Sequence, residues 1–253
     1  MSANAADQAA RLLLDVRGGG SRLAKLPDGL QPATIAQAYA IQDAVNLALG
    51  PVAGWKVSPL RGTDPPNCAP IGAALIHASP ARLASGALPG AEIEGEVAVT
   101  LGRDLPPRAT PYGPDDLGAA IASVHLAVEV LSSRFQDRKA VPPLGVVADS
   151  QGNAAVVLGP ARGDWRDLEL GGVAMRLLVG GAEVASVAGG ADTANVLASL
   201  AWLANHAAAR MGGLRRGDVV ITGARAGPRP IGLGATTVVA DAPDLGRVEI
   251  AFD

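Results

Sequence analysis

Two glutamates set two residues apart, Glu94 and Glu96, interrupt the apolar run EIEGEVAVTL at 92–101, and a third, Glu129, interrupts HLAVEVL at 125–131. In a β-strand, residues two apart share a face, so Glu94 and Glu96 are predicted to point the same way. Burying an unpaired carboxylate is costly, so acidic groups along apolar strands call for a partner. Three carboxylates converging from two neighbouring strands supply the oxygen ligands that Mg²⁺ or Mn²⁺ prefers. The pattern predicts a metal enzyme.

Lys56, in VAGWKVSP at 52–59, ends a short strand-like run. A lysine beside a carboxylate-bound metal can pair with an anionic substrate or give it a proton. Asp149 follows LGVVA and precedes SQGN, which reads as a turn-capping residue at a strand end. The histidines are His77, His125 and His206, and none lies at metal-ligand spacing from another. His125 shares the strand face of Glu129 and reads as a satisfied core or edge histidine. Cys68, in NCAPIG, has no flanking base and reads as a packed thiol. The glycines of GARAGPRPIGLG at 223–234 lack the lysine and following Ser/Thr of a phosphate loop, so a hairpin or a substrate-covering loop is expected.

These residues need elements to hold them. Residues 4–17 read as an amphipathic helix ended by GGGS. A second helix starts at Thr34, with Gln37 completing a capping-box pattern, and stops at Gly50-Pro51. Strands are predicted at 52–58, 92–101, 124–131, 154–158, 173–180, 218–222, 235–240 and 246–252, with Pro-rich loops such as TDPPNCAP and VPPLG between them. One long late helix, capped by Asp192 or Thr193, carries Val196, Leu200, Leu203 and Ala207 at helical spacing, and Trp202 and His206 on one side are expected against the sheet. Strands and helices do not alternate, so the predicted class is α+β with a large mixed or antiparallel sheet. The expected division is a helical segment at 1–50 and a β-rich catalytic core at 51–253, within one domain.

With 49% hydrophobic residues but only 3% aromatic, the core must be filled by Ala, Val and Leu. A net charge of −3 argues against nucleic acid as a partner. No uncharged apolar stretch is long enough to span a bilayer, and the first residues lack the order of a signal peptide. A single cysteine excludes an internal disulfide and makes a cytoplasmic location the default expectation.

Several blocks resemble the fumarylacetoacetate hydrolase superfamily, in its 2-keto-4-pentenoate hydratase/4-oxalocrotonate decarboxylase branch. They are AYAIQDAV at 38–45, GWKV at 54–57, EIEGEVAVTLGRDL at 92–105, AVEVLSSRF at 127–135, VADSQGNAAVVLG at 147–159, AWLANHAA at 201–208 and GLRRGDVVITG at 213–223. The resemblance implies a mixed β-roll core, Mg²⁺ or Mn²⁺ held by Glu94, Glu96 and Glu129, Lys56 meeting a small 2-oxo acid, and a homo-oligomer, with a related subunit as a further partner. It also makes Asp149 and Asn153 candidates for substrate contact. Two departures stand out. Lys56 is followed by VSPLRG instead of the family's GLTS-type turn, and Gly152 occupies the position of a substrate-contacting serine, which Ser150 or Asn153 could replace.

The implied activity is a hydratase that adds water to a 2-hydroxy-2,4-dienoate through a metal-stabilised enolate. The alternatives are a 4-oxalocrotonate-type decarboxylase, an acylpyruvate-type hydrolase, and a catalytically silent partner subunit. The segment before Lys56 contains no histidine for the Glu–His pair a hydrolase would use.

Overall fold

A computed structural model describes residues 2–232, 234 and 236–253. Two helices open the chain, α1 (Ala3–Arg17) and α2 (Ile35–Leu49). Thr34 caps α2 by accepting from the Gln37 N–H at 3.3 Å, and Gln37 Oε1 returns the bond to the Ala33 N–H at 2.7 Å. Four strands follow: β1 (Val52–Val57), β2 (Cys68–Gly72), β3 (Ile76–Ala78) and β4 (Ala81–Leu83). The long strands β5 (Glu92–Leu101) and β6 (Ile121–Leu131) are separated by the short helix α3 (Pro114–Ala120). Helix α4 (Pro143–Ala148), β7 (Asn153–Leu158), β8 (Met175–Val179), β9 (Ala182–Val187) and helix α5 (Thr193–Met211) come next. The chain finishes with β10 (Val219–Pro230), β11 (Thr236–Ala242) and β12 (Gly246–Phe252).

The strands form two sheets. Seven run in the order β2-β1-β10-β5-β6-β7-β3 and five in the order β4-β12-β11-β8-β9. Only Ala73–Leu75 separate β2 from β3, yet these strands stand at opposite ends of the seven-strand order. So short a link brings the two ends together, and the sheet curls into a roll. A Cβ on Gly54 of β1 would come 2.7 Å from the Val219 carbonyl oxygen of β10, so a glycine is needed there, and 2.8 Å from Ile76 Cδ1 of β3 across the seam.

The curl gives the sheet an inside and an outside. Inside lie Ile71, Ala98, Ala127, Val156, Val219 and Ile221, a small separate apolar cluster. Outside, Ile93, Val97, Val128 and Val130 join Met175, Leu177, Val238 and Ile250 of the second sheet in the main core. Each such fully buried side chain contributes about 1.5–3 kcal/mol. Strand alternation therefore assigns β5 and β6 residues to one compartment or the other, and Glu94, Glu96 and Glu129 fall on the inside.

Several local expectations are corrected. VPPLG opens α4 rather than a loop, because proline suits the first turn of a helix. Asp149 accordingly caps a helix C-terminus, not a strand end. The run after Gly223 is no hairpin or covering loop; β10 continues to Pro230, paired with β5. Leu233 of that run, and Ala235 of the strand expected at 235–240, lie outside the described residues. On α5, His206 stacks on Trp202 and its ring centroid lies 4.9 Å from that of Tyr39 of α2, so this side of α5 also meets a helix.

Candidate metal centre

The site sits at one mouth of the roll. Glu94 pairs across the ladder with Glu129, and Glu96 with Ala127, which places the three carboxylates on adjoining positions of β5 and β6. Ligand oxygens of Glu94, Glu96 and Glu129 all lie within 4.8 Å of one another. Glu96 and Glu129 are buried and Glu94 is half-buried. The small side chains of Ala98 and Ala127, one step deeper on the same face, leave this interior narrow and apolar.

Lys56 enters from β1. In the sheet order β1 is three strands from β6, about 14 Å on a flat sheet. The curl closes that gap, and Lys56 Nζ donates to Glu129 Oε1 at 2.6 Å and Oε2 at 2.8 Å. Asn153, the first residue of β7, donates its side-chain amide to Glu129 Oε1 at 2.8 Å.

Glu96 is held by a backbone irregularity. The ladder between β10 and β5 slips between Ile221 and Ala224, forming a bulge at Thr222 and Gly223. Thr222 Oγ1 donates to the Val97 carbonyl at 2.7 Å, and the Gly223 N–H donates to Glu96 Oε2 at 2.7 Å. Gly223 has φ 105°, and a Cβ there would come 2.5 Å from Pro59 Cδ, so no other residue fits. A glycine at the end of an apolar strand run is the sequence signal for such a bulge.

The carboxylates crowd one another in a buried setting. Burial, and then repulsion from Glu129, push the Glu94 carboxyl up to about 7, with Lys56 and Arg138 offsetting part of the rise. Glu96 is raised well above the usual carboxylate range, by burial first and then by Glu129. Ionising all three carboxylates against the bonded Lys56 ammonium would leave two negative charges to offset, which matches the charge of a divalent cation. The donor set is all oxygen, which fits a hard divalent ion such as Mg²⁺ or Mn²⁺.

Residues that sequence reasoning missed line the same cleft of about 220 Å³: Ser58, Arg61, Arg138, Gln151 and Gly223. Arg138 reaches Glu92 Oε2 at 3.2 Å and the Gln151 carbonyl at 3.3 Å. Ser150 and Gln151 have φ of 51° and 56°, a conformation that non-glycine residues adopt only when their surroundings enforce it. Nothing in the sequence pattern marks Arg138, because its partners lie far away in the chain.

Asp149 stands apart from the glutamates. Its carboxylate accepts from Ser133 Oγ at 2.9 Å and the Arg134 N–H at 3.1 Å, and pairs with the Arg134 guanidinium. His125 is satisfied as expected, with Nδ1 against the Gly159 carbonyl at 3.1 Å and Nε2 shared by Thr100 and Ser123.

Comparisons with known proteins bear on this arrangement. A profile described as the fumarylacetoacetate (FAA) hydrolase C-terminal matches residues 58–252. A 2-keto-4-pentenoate hydratase of Burkholderia vietnamiensis is 32% identical over 259 residues, covering 98% of this chain and 97% of that protein. Among solved structures, the 4-oxalocrotonate decarboxylase from Pseudomonas putida G7, complexed with magnesium and adipate, superposes with a TM-score of 0.86 at 22% identity, covering 100% of this chain and 99% of that one. The fumarylpyruvate hydrolase from Pseudomonas aeruginosa, in complex with Mn²⁺ and pyruvate, gives a TM-score of 0.54 at 15% identity over 78% of this chain and 88% of that one. These structures share the α+β roll.

Proposed function

The chain belongs to the fumarylacetoacetate hydrolase family of enzymes, and from that premise we propose that it is a divalent-metal-dependent hydratase of a 2-hydroxy-2,4-dienoate. The observation that carries the reading is the convergence of Glu94, Glu96 and Glu129 within 4.8 Å, with Lys56 bonded to Glu129. The relative named 2-keto-4-pentenoate hydratase supports the substrate class.

Glu94, Glu96 and Glu129 would hold the ion. When bound it supplies a Lewis acid for the 2-oxo acid group and for the charge gathering on its keto oxygen. The remaining chemistry falls to the chain. Lys56 Nζ, bonded to both Glu129 oxygens, keeps that carboxylate oriented and carries a proton at the edge of the cleft. Asn153 fixes Glu129 from the other side, and the Gly223 N–H fixes Glu96, so neither carboxylate must reorganise as the reaction proceeds. In hydration, the dienol loses its 2-hydroxyl proton as its terminal carbon gains one, giving the α,β-unsaturated ketone. The oxygen of water then joins carbon 4, water gives up one proton, and carbon 3 gains one. Lys56 is the group placed to move a proton in these steps.

A second reading, decarboxylation of a 4-oxalocrotonate-type diacid, is favoured by one observation. Arg61 and Arg138 line the cleft and offer cationic groups to a second carboxylate. No helix among the described residues is long and apolar enough to cross a membrane. The proposal places the enzyme in the cytoplasm as a homo-oligomer.

The test is purified protein with Mg²⁺ or Mn²⁺ and 2-hydroxypenta-2,4-dienoate, following the dienol absorbance. Metal-dependent loss of absorbance is expected. Turnover of 4-oxalocrotonate with CO₂ release, and none of the dienoate, would replace the hydratase reading with the second one.

A further inference from the structure

Arg17, the last residue of α1, is far in the chain from the metal site and does not line its cleft. Its guanidinium makes one hydrogen bond among the described residues, from Nη2 to the Asn153 carbonyl at 2.9 Å. Among the described residues, no carboxylate comes within ion-pair distance of it. The neighbouring Arg134 is fully engaged: it pairs with Asp149 and donates to the carbonyls of Ser132, Asp149 and Asn153. Two inward-facing guanidiniums therefore share one carboxylate, and that carboxylate is committed to Arg134. Burial, and then the Arg134 charge, push the Arg17 guanidinium down to about 9. Arg17 is half-buried, and the carboxylate that partly offsets its charge, Asp149, is the one already paired with Arg134, so the spare Arg17 donors stay open to a ligand.

Space stands beside it. Arg17 lines a cleft of about 240 Å³, bounded on its polar side by Ser132, Ser133 and Arg134. The remaining wall is apolar, formed by Val16, Leu49, Leu75, Leu88 and Pro89. One cationic fork with donors to spare, set at the edge of an apolar cleft, matches a carboxylate carried on a short hydrocarbon body. At roughly 30 Å³ per water-sized group, such a volume holds about eight heavy atoms. The Asn153 carbonyl that receives Arg17 belongs to the residue whose side chain holds Glu129, so an occupant would sit one residue from the metal ligands.

We propose that this cleft is a second ligand site, separate from the metal centre, which takes a small apolar monocarboxylate through its carboxylate on Arg17. The site does not depend on which reaction the metal centre performs.

The test is a calorimetric titration of butyrate into the full-length Glu96→Gln protein without metal, so that no bound ion draws the carboxylate to the metal centre. The Arg17 variants below tell binding at Arg17 from binding at Lys56, Arg61 or Arg138. Inorganic phosphate is titrated in parallel. One butyrate per chain is expected, bound more tightly than phosphate. Adding Arg17→Met should weaken butyrate at least tenfold. Arg17→Lys, which keeps the charge without the fork, should weaken it by a smaller factor in a protein whose melting curve shows it folded. No butyrate binding, phosphate bound the more tightly, or unchanged butyrate affinity in a folded Arg17 variant would overturn the proposal.

Discussion

Lys56 Nζ lies 2.6 Å from one oxygen of Glu129 and 2.8 Å from the other, although the two residues are 73 positions apart and sit on strands separated by two others. The bond exists because the seven-strand sheet closes on itself through the three-residue link between β2 and β3. It joins the one cation bonded to the trio among the described residues with the most deeply buried of the three carboxylates. In doing so it ties the sheet's curvature to the chemistry at its mouth.

Replacing Lys56 by methionine tests that tie. Loss of a positioned proton carrier typically lowers turnover by about 10²–10⁴. Because Glu94, Glu96 and Glu129 remain, Mn²⁺ affinity should change much less than turnover does. Steady-state kinetics alongside Mn²⁺ calorimetry separate the two effects. Undiminished turnover of Lys56→Met would remove Lys56 from the mechanism.

The raised carboxyls predict how pH acts on the metal-free protein. Glu94 has a folded-state value of about 7 against an ordinary 4.5. Below pH 4.5 both folded and unfolded chains hold this proton. Between 4.5 and 7 the unfolded chain releases it while the folded chain keeps it, so folded stability falls as pH rises through that window. Glu96 extends the trend upward, since it is raised further. Melting curves without metal should therefore show decreasing stability from this pair across the window. Added Mn²⁺ should reverse the loss, and its affinity should tighten as pH rises, by about tenfold per pH unit for each proton displaced. A Mn²⁺ affinity flat from pH 5 to 7 would contradict the assignment of these groups.

Gly223→Ala probes the bulge. A Cβ at φ 105° and 2.5 Å from Pro59 Cδ forces the backbone or Pro59 to move. The expected cost is about 1–3 kcal/mol of stability, with weaker Mn²⁺ binding because the N–H that holds Glu96 is displaced. Thermal unfolding and calorimetry read the two quantities. Wild-type values for both would show that Glu96 does not depend on the bulge.

Much of the site was legible because it breaks a rule. Glu94, Glu96 and Glu129 stand where period-two alternation calls for core residues, and that misfit, read with the strand spacing, placed them on one face. Thr34 and Gln37, and the stripe on α5, were legible for a related reason, since caps and helical spacing are local. What escaped was non-local or short. Strands β2 and β3, five and three residues long, carry no period to detect, and Pro70 argues against a strand until β2 is seen at the edge, where Pro70 faces Trp55. Yet their link is what curls the sheet. Asp149 read as a strand-end turn because nothing nearby announces Arg134 as its partner. Gly223 read as the start of a loop, because a bulge is visible only once β5 lies alongside β10.

The most direct measurement is a Mn²⁺ titration by calorimetry of the wild-type protein beside Glu96→Gln, with melting curves to show that both are folded. One ion per chain in the wild type, and at least hundredfold weaker binding in a folded Glu96→Gln protein, is the predicted result. Equal Mn²⁺ affinity in the two proteins would contradict the metal centre on which the proposed hydratase rests.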